Sequence, residues 1–230
     1  MAAKKVALRT PKPSEYQSLA DAVYESLLEN IVSGSLPPGT VLSALDLSSK
    51  LDVSRTPIHD ALRALAADGF VELQTGRRAR VVRFTRDDLW EIFELRRFLE
   101  GPAAELAAGR MDERQLGPLR KAADDLKRAK AAVDWTRRWS DFDDQFHRTI
   151  AEASGNRRLA HDINRYRLLH RSFNRIATDQ KSLQRALAEH LGILDALAHH
   201  DGPRARRLMD AHIRHWQQFF VGLLPPTESQ

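Results

Sequence analysis

The chain has 230 residues, of which 42% are hydrophobic and 29% charged, a balance typical of globular proteins and a length that fits two domains. Its formal net charge of +5 permits a nucleic-acid partner. The absence of cysteine excludes disulfides, cysteine-based zinc fingers and thiol nucleophiles, so that any metal must bind to His, Asp or Glu. Because no apolar run approaches the ~20 residues of a membrane span and the start lacks a secretory signal, we expect a soluble cytoplasmic protein with no membrane partner.

The first seventy residues carry the pattern of three helices. A basic tail, expected to be flexible, over residues 1–14 precedes an amphipathic helix predicted over 15–33, whose apolar residues recur every four positions. A second helix is predicted over 44–51. A third follows Ser54, a good N-cap residue, and ends at Asp68.

A small hairpin follows these helices. Residues 70–73 and 80–83 are β-prone, a glycine lies between them, and no other strand is evident. Helix, helix, turn, helix and basic hairpin is the order of a winged helix-turn-helix, in which the helix after the turn enters the major groove. We therefore predict a DNA-binding domain over residues 15–84, with double-stranded operator DNA as its partner.

From Thr85 onward the sequence predicts helices only. They are expected over 86–109, 112–133, 135–153, 157–178, 182–199 and 203–224. The predicted fold class is therefore mostly α, with an all-α helical bundle over residues 85–224 behind the winged domain and a short tail over 225–230.

The third helix and the hairpin carry side chains suited to DNA. Four of them are expected to face outward from the helix: Arg55, Thr56, His59 and Arg63. The fork of Arg55 fits guanine O6 and N7, and the helix N-terminus favours a phosphate. Three hairpin arginines could contact phosphates or the minor groove: Arg77, Arg78 and Arg80. Composition alone equally permits a solvated helix and turn.

Three histidines and a carboxylate are predicted to meet inside the helical bundle. Asp143 and His147 are four residues apart, so a helix places them on one face. His190 and His212 each lie on an apolar stripe of their own helix and are expected to point inward. These side chains are suitable ligands for zinc, nickel or manganese. A histidine on an apolar face is also commonly a hydrogen-bonded core residue, so that alternative stays open on the residues alone.

Arg96 interrupts the apolar series of the first helix of the bundle. One interpretation is an i,i+4 ion pair with Glu100 on the surface. The other is a buried guanidinium group that binds a carboxylate ligand.

The recognition segment identifies a family. VSRTPIHDALRALAADGFVEL, residues 53–73, is similar to the corresponding segment of GntR-family transcription regulators, and the likeness continues upstream through LPPGTVLSALDLSSKLDVS. With its helical remainder, the chain resembles the FadR subfamily, which has an FCD-type C-terminal domain. The resemblance implies a homodimer that represses transcription and responds to a small organic acid, the effector. His59 departs from the arginine usual in the family, so no operator sequence is carried over.

The resemblance also implies roles for the buried polar residues. The metal-binding FCD pattern D-x-x-F-H, then E-H, then a final His matches Asp143 to His147, His190 and His212, which are thereby implied as ligands. Zinc is favoured, with nickel and manganese as alternatives. The family's R-x-x-L-E pattern matches Arg96 to Glu100 and implies Arg96 in the effector pocket.

Two other functions fit parts of the sequence. Three histidines and an aspartate could activate a water molecule in a helical metalloenzyme, but no general base is placed as in HExxH, and the winged module would be unexplained. We therefore do not expect an enzyme. The alternative within DNA binding is a constitutive DNA-binding protein whose metal site is purely structural.

Overall fold

In a computed structural model of the chain, the described residues are 18–75, 78–83, 85–129 and 132–223. They separate into two compact units, one with the described residues up to 85 together with the segment 168–176, and the other with the remainder. The tails predicted over 1–14 and 225–230 lie outside the described residues, as does Arg77.

The first unit contains three helices and three short strands among its described residues before position 86. These are α1 (Leu19–Val32), β1 (Val41–Ser43), α2 (Ala44–Leu51), α3 (Arg55–Ala67), β2 (Val71–Gln74) and β3 (Arg78–Val81). Asp52 ends α2 in the left-handed conformation, with φ 53°, which turns the chain tightly into α3. The predicted helix-turn-helix is confirmed.

The sheet has one strand more than predicted. β1 pairs antiparallel with β3, which also pairs with β2, so the strand order is β1-β3-β2. The expectation of a hairpin alone was wrong because β1 has only three residues and is held by pairing with a strand distant in sequence, which no local pattern reveals. The hairpin strands also lie at 71–74 and 78–81, which brings Arg78 into β3.

Six helices follow. They are α4 (Arg86–Ala108), α5 (Glu113–Arg128), α6 (Trp135–Ala153), α7 (Arg157–Ala177), α8 (Gln180–Ala198) and α9 (Gly202–Leu223). Their bounds agree closely with the prediction except for α5, expected to reach residue 133. The indole N–H of Trp135 donates to the carbonyl of Leu126 at 2.9 Å, taking an acceptor that a longer helix would use. In the described part of the chain, no helix has the length and hydropathy needed to cross a membrane.

The core of the second unit buries an unusual set of polar side chains. The exposed fraction is below 4% for each of these residues: Arg96, Glu100, Asp143, His147, Arg167, His190 and His212. Ionisable groups are rarely buried unless they pair with one another or bind a metal. This cluster therefore marks the candidate site of the second unit.

Candidate DNA-binding surface and metal centre

α3 presents the predicted polar face. Its buried residues are Ile58, Ala61, Leu62 and Leu65. This leaves Arg55, Thr56 and Arg63 exposed and His59 half-buried. Ser54 occupies the N-cap position as predicted, but its side chain makes no capping hydrogen bond, and the first turn holds no acidic residue. The N-terminal N–H groups of α3 and Arg55 therefore form a positive end suited to a phosphate.

The exposed face of the sheet carries two of the predicted arginines. Arg78 and Arg80 alternate with the buried Ala79 and Val81, so both face outward. In the strand register Arg80 lies opposite Glu72, whereas Arg78 lies opposite neutral residues. Arg78 is therefore the better placed of the two to contact a phosphate.

The three predicted histidines meet. His147, His190 and His212 come from α6, α8 and α9, all are buried, and one ring nitrogen of each lies within 4.8 Å of the others. The Nε2 atoms of His190 and His212 are 3.3 Å apart. Two nitrogens bound to one metal at ~2.0–2.1 Å lie about 2.8–3.4 Å apart, over the range from octahedral to tetrahedral angles. The cluster therefore has the chemistry and spacing of a metal site.

Asp143 joins this cluster through one carboxylate oxygen. Its Oδ1 atom lies 3.4 Å from Nε2 of His190 and 3.7 Å from Nε2 of His147. Oδ1 of Asp143 and Nε2 of His147 are both buried without a hydrogen-bond partner. Burying an acceptor without a hydrogen-bond partner costs free energy. A metal cation bound between Oδ1 of Asp143 and Nε2 of His147 would use a lone pair of each atom.

The protonation states suit metal binding. Burial, reinforced by nearby cationic groups, lowers the pKa of His147 and of His190 well below the usual value. Both imidazoles are therefore neutral at pH 7, which is the form that binds metals. Burial raises the pKa of Asp143, and the charge of Arg167 opposes that shift.

Two glutamates contact the Nδ1 side of two of the histidines, His147 and His212. Oε2 of Glu100 lies 2.5 Å from Nδ1 of His147, and Oε2 of Glu189 lies 2.7 Å from Nδ1 of His212. A carboxylate that accepts from Nδ1 fixes the tautomer and directs the Nε2 lone pair away from it. This is the usual outer shell of a metal-binding histidine.

Two buried arginines flank the cluster. Nε of Arg96 donates to Oε1 of Glu100 at 2.8 Å, so the i,i+4 pair considered for the surface exists, but inside the bundle. Nη2 of Arg167 donates to Oδ2 of Asp143 at 2.6 Å and to Asp144 at 3.2 Å. The Nη1 atoms of both arginines are buried without a partner. Each therefore offers a buried donor to an anionic ligand.

Sequence reasoning missed Arg167 and the positioning roles of Glu100 and Glu189. Arg167 continues the α7 stripe formed by Ala160 and Ile163, which are buried and spaced for one helix face. A basic residue on an apolar stripe was the signal that singled out Arg96, and the same signal was present here.

A winged helix-turn-helix followed by a helical domain with a buried polar site is the organisation of a ligand-responsive transcription regulator. The gntR family model of bacterial regulatory proteins matches residues 19–81, and the FCD domain model matches residues 91–215. The chain belongs to the GntR family, with an FCD effector domain that binds ligands. It is thus a DNA-binding transcriptional regulator and not an enzyme, as predicted.

Individual relatives are similar to this chain over most of their length. The transcriptional repressor RspR of Escherichia coli is 26% identical over 209 residues, covering 86% of this chain and 87% of its own. The transcriptional regulator LutR of Bacillus subtilis is 28% identical over 214 residues, with coverages of 84% and 96%. The solved structure of E. coli McbR/YncC matches the fold with a TM-score of 0.69 at 21% identity, over 89% of this chain and 98% of that one.

Proposed function

We propose that this regulator is a repressor whose operator affinity is controlled by a small carboxylate effector bound at a divalent metal in the helical domain. The proposed ligands are Asp143, His147, His190 and His212. The observation that carries the proposal is the set of buried, unsatisfied atoms: the acceptors on Asp143 and His147, beside the donors on Arg96 and Arg167.

Zinc is the favoured metal, with nickel and manganese as alternatives. Three imidazole nitrogens and one carboxylate oxygen suit zinc and nickel better than magnesium or calcium, which prefer oxygen ligands. Four protein ligands leave further positions open on a metal that accepts five or six. A ligand oxygen can therefore bind the metal while the rest of the ligand reaches the protein.

The flanking arginines favour an anionic effector. Arg96 and Arg167 keep an unpaired N–H although their other nitrogens bind Glu100 and Asp143. A guanidinium N–H that is buried without an acceptor is destabilising, and a carboxylate would supply the acceptor. We therefore propose that Arg96 contacts the carboxylate of the effector.

Control of transcription requires that the effector distinguish two states of the protein. It can change operator affinity only by the difference between its affinities for the DNA-competent and DNA-incompetent states. We propose a homodimer that places α3 and the basic sheet residues Arg78 and Arg80 on two operator half-sites. Such a protein acts where the operator is, which for a bacterial regulator is the cytoplasm.

A thermal-shift screen tests the metal and the effector together. Zinc-loaded protein is heated with acetate, lactate, malate, citrate or gluconate, and the series is repeated after chelation. We expect at least one acid to raise Tm of the zinc form only, because ligand binding to the native state stabilises it by RT ln(1 + [L]/Kd). Arg96→Lys should keep the shift caused by zinc and lose most of the shift caused by the acid.

The alternative, a constitutive DNA-binding protein with a structural metal site, predicts a different result. Zinc would still raise Tm, but none of the acids would raise it further, and operator affinity would be the same with and without them. That pattern would remove the effector from the proposal and leave the metal in place.

Arg55→Ala tests the recognition surface. We expect specific binding to weaken by roughly 1–3 kcal/mol, the typical cost of losing one base-contacting arginine. The measurement is fluorescence anisotropy at fixed salt on an operator fragment that the wild-type chain selects from random DNA. Arg114→Ala, which removes an exposed arginine from α5, is the matched control and should bind as the wild type does. Equal affinity of Arg55→Ala and wild type would contradict the assigned role of α3.

A further inference from the structure

A small cavity opens between α5 and α6, and none of the proposed metal ligands lines it. Its volume is about 230 Å³, below the ~300–1,000 Å³ of sites for drug-sized ligands. The lining residues are Ala122, Asp125, Leu126, Arg138, Asp141, Phe142 and Gln145. A ligand of this cavity, which we name the α5–α6 site, would therefore be a small molecule in contact with both helices.

The α5–α6 site has an apolar floor and a charged rim. Leu126 and Phe142 form the floor, because both are almost fully buried. The polar lining residues are more exposed and form the rim: Asp125, Arg138, Asp141 and Gln145. Two carboxylates, one guanidinium and one amide therefore surround one small volume above an apolar base.

Most of the rim side chains are available to a ligand. In the described part of the chain, the side chains of Arg138, Asp141 and Gln145 take part in no hydrogen bond or ion pair. Asp125 accepts a hydrogen bond from Nη2 of Arg128 at 2.7 Å. That bond lowers the pKa of Asp125, and the nearby charge of Arg138 lowers it further. Asp125 is therefore ionised at pH 7 and lies close to Arg138.

We infer that the α5–α6 site binds a free α-amino acid with a small side chain. The ammonium group of the ligand contacts Asp125 and Asp141, its carboxylate accepts from Arg138, and its side chain covers the apolar floor. A simple anion would lie beside two carboxylates and a simple cation beside the guanidinium, and like charges disfavour both arrangements. A zwitterion matches both signs of charge on the rim.

Phe142 connects this site to the proposed metal centre. Its ring lines the cavity and also contacts the ring of His190 edge to face, with the centroids 5.6 Å apart. Phe146 packs on the same imidazole, with the centroids 4.2 Å apart. The position of His190 therefore depends on aromatic rings of α6, one of which forms the floor of the α5–α6 site.

His190 lacks the outer partner that the other two histidines have. Glu100 and Glu189 accept from Nδ1 of His147 and His212, whereas Nδ1 of His190 is buried without a hydrogen-bond partner in the described structure. An amino acid on Phe142 would restrict that ring and hold His190 in its metal-binding position. Because a preorganised site binds more tightly, occupation of the α5–α6 site raises the affinity for zinc. This coupling rests on the metal of the proposed function, and the amino-acid site itself does not.

Isothermal titration calorimetry of the chelated, dialysed full chain tests the site without the metal. The probes are glycine, L-alanine, L-serine and L-valine, together with propionate and ethylamine, which each carry only one of the two charges. We expect at least one amino acid to bind, and both single-charge probes to bind at least about tenfold more weakly, the effect of losing a hydrogen bond to a charged group. Binding of none of the amino acids, or equal binding of propionate or ethylamine, would overturn the inference.

Arg138→Gln locates the binding. We expect it to weaken amino-acid binding at least about tenfold, because the ligand carboxylate loses its charged donor. Arg137→Gln is the matched control, since Arg137 is the neighbouring residue of α6, is 76% exposed and pairs with Asp134 at 3.7 Å. It should bind the amino acid as the wild type does. With unchanged circular dichroism in both variants, equal binding by Arg138→Gln and wild type would place the ligand elsewhere and overturn the site.

Zinc titration against a competing dye, with and without a saturating amino acid, tests the coupling. Amino acids bind zinc themselves, so Arg138→Gln at the same amino-acid concentration supplies the baseline. Relative to that baseline, we expect the zinc Kd of the wild type to fall about fivefold or more, within the usual range of coupling between two sites. Phe142→Leu keeps an apolar floor without the ring that contacts His190, and should bind the amino acid but lose the shift.

The outcomes separate this inference from the proposed function. A zinc Kd that stays at the baseline or rises would overturn the coupling and leave the amino-acid site in place. Failure of the wild type to bind zinc would overturn the proposed metal centre and the coupling with it. Calorimetry of the chelated chain would decide the α5–α6 site in either case.

Discussion

His190→Ala is expected to abolish stoichiometric zinc binding and, with it, the thermal stabilisation by any carboxylate effector. His190 is fully buried, and its Nε2 atom lies 3.3 Å from that of His212 and 3.4 Å from Oδ1 of Asp143, so it is the residue that links the other ligands. Losing an outer-shell partner costs about 10–100-fold in metal affinity, and losing a ligand should cost more. Competition with a zinc-sensitive dye measures the affinity, and elemental analysis measures the stoichiometry.

Two further variants separate the loss of a ligand from a packing defect. His161→Ala removes an exposed histidine of α7 and should bind zinc as the wild type does. His190→Gln fills most of the space without offering an imidazole, so it should also lose zinc while its urea unfolding curve without metal stays close to that of wild type. Stoichiometric zinc in both His190 variants would show that the histidine cluster is only a packed, hydrogen-bonded core.

The sequence could predict the candidate ligands because their spacing is local. Asp143 and His147 are one helical turn apart, and the apolar residues around His190 and His212 show which side of each helix is buried. Helical periodicity and hydrophobic burial are enough to turn such side chains inward. Their convergence was expected because each of these apolar faces turns into one bundle, whereas the distances between the side chains of α6, α8 and α9 depend on the packing of the whole bundle and could not be predicted.

The residues that sequence reasoning missed act through contacts distant in the chain. Glu100 reaches His147 across 47 positions, and Arg167 reaches Asp143 across 24. No local pattern encodes such pairs. The strand β1 was missed for the same reason, because it is defined by its pairing with β3. The two arginines on apolar stripes, Arg96 and Arg167, were the one signal of a buried charge network available before the structure.

Arg167→Met is expected to lower the free energy of unfolding by about 3–5 kcal/mol, the cost of removing one partner of a buried ion pair. The side chain of Arg167 is 3% exposed, and it donates to Oδ2 of Asp143, a carboxylate that is itself buried from bulk solvent. Urea unfolding of the chelated protein at pH 7.5 gives the measurement. Arg185→Met is the control, because Arg185 pairs with Glu189 while 63% exposed, and such pairs contribute about 1 kcal/mol or less.

A double-mutant cycle shows whether the loss in free energy of unfolding comes from the interaction between Arg167 and Asp143. With Asp143→Asn alone, Arg167 loses the nearer of its two carboxylate partners and keeps Asp144 at 3.2 Å, and with both substitutions no charge in the Arg167–Asp143 pair is left unmatched. The double variant should therefore be more stable than the sum of the two single losses predicts, with a coupling energy of roughly 1–3 kcal/mol. Additive losses, or an Arg167→Met variant as stable as Arg185→Met, would contradict the role of Arg167 in holding Asp143. If the coupling is found, Arg167 is the residue that keeps a buried carboxylate ionised and oriented toward the histidines, and the charge network around the metal site begins at α7.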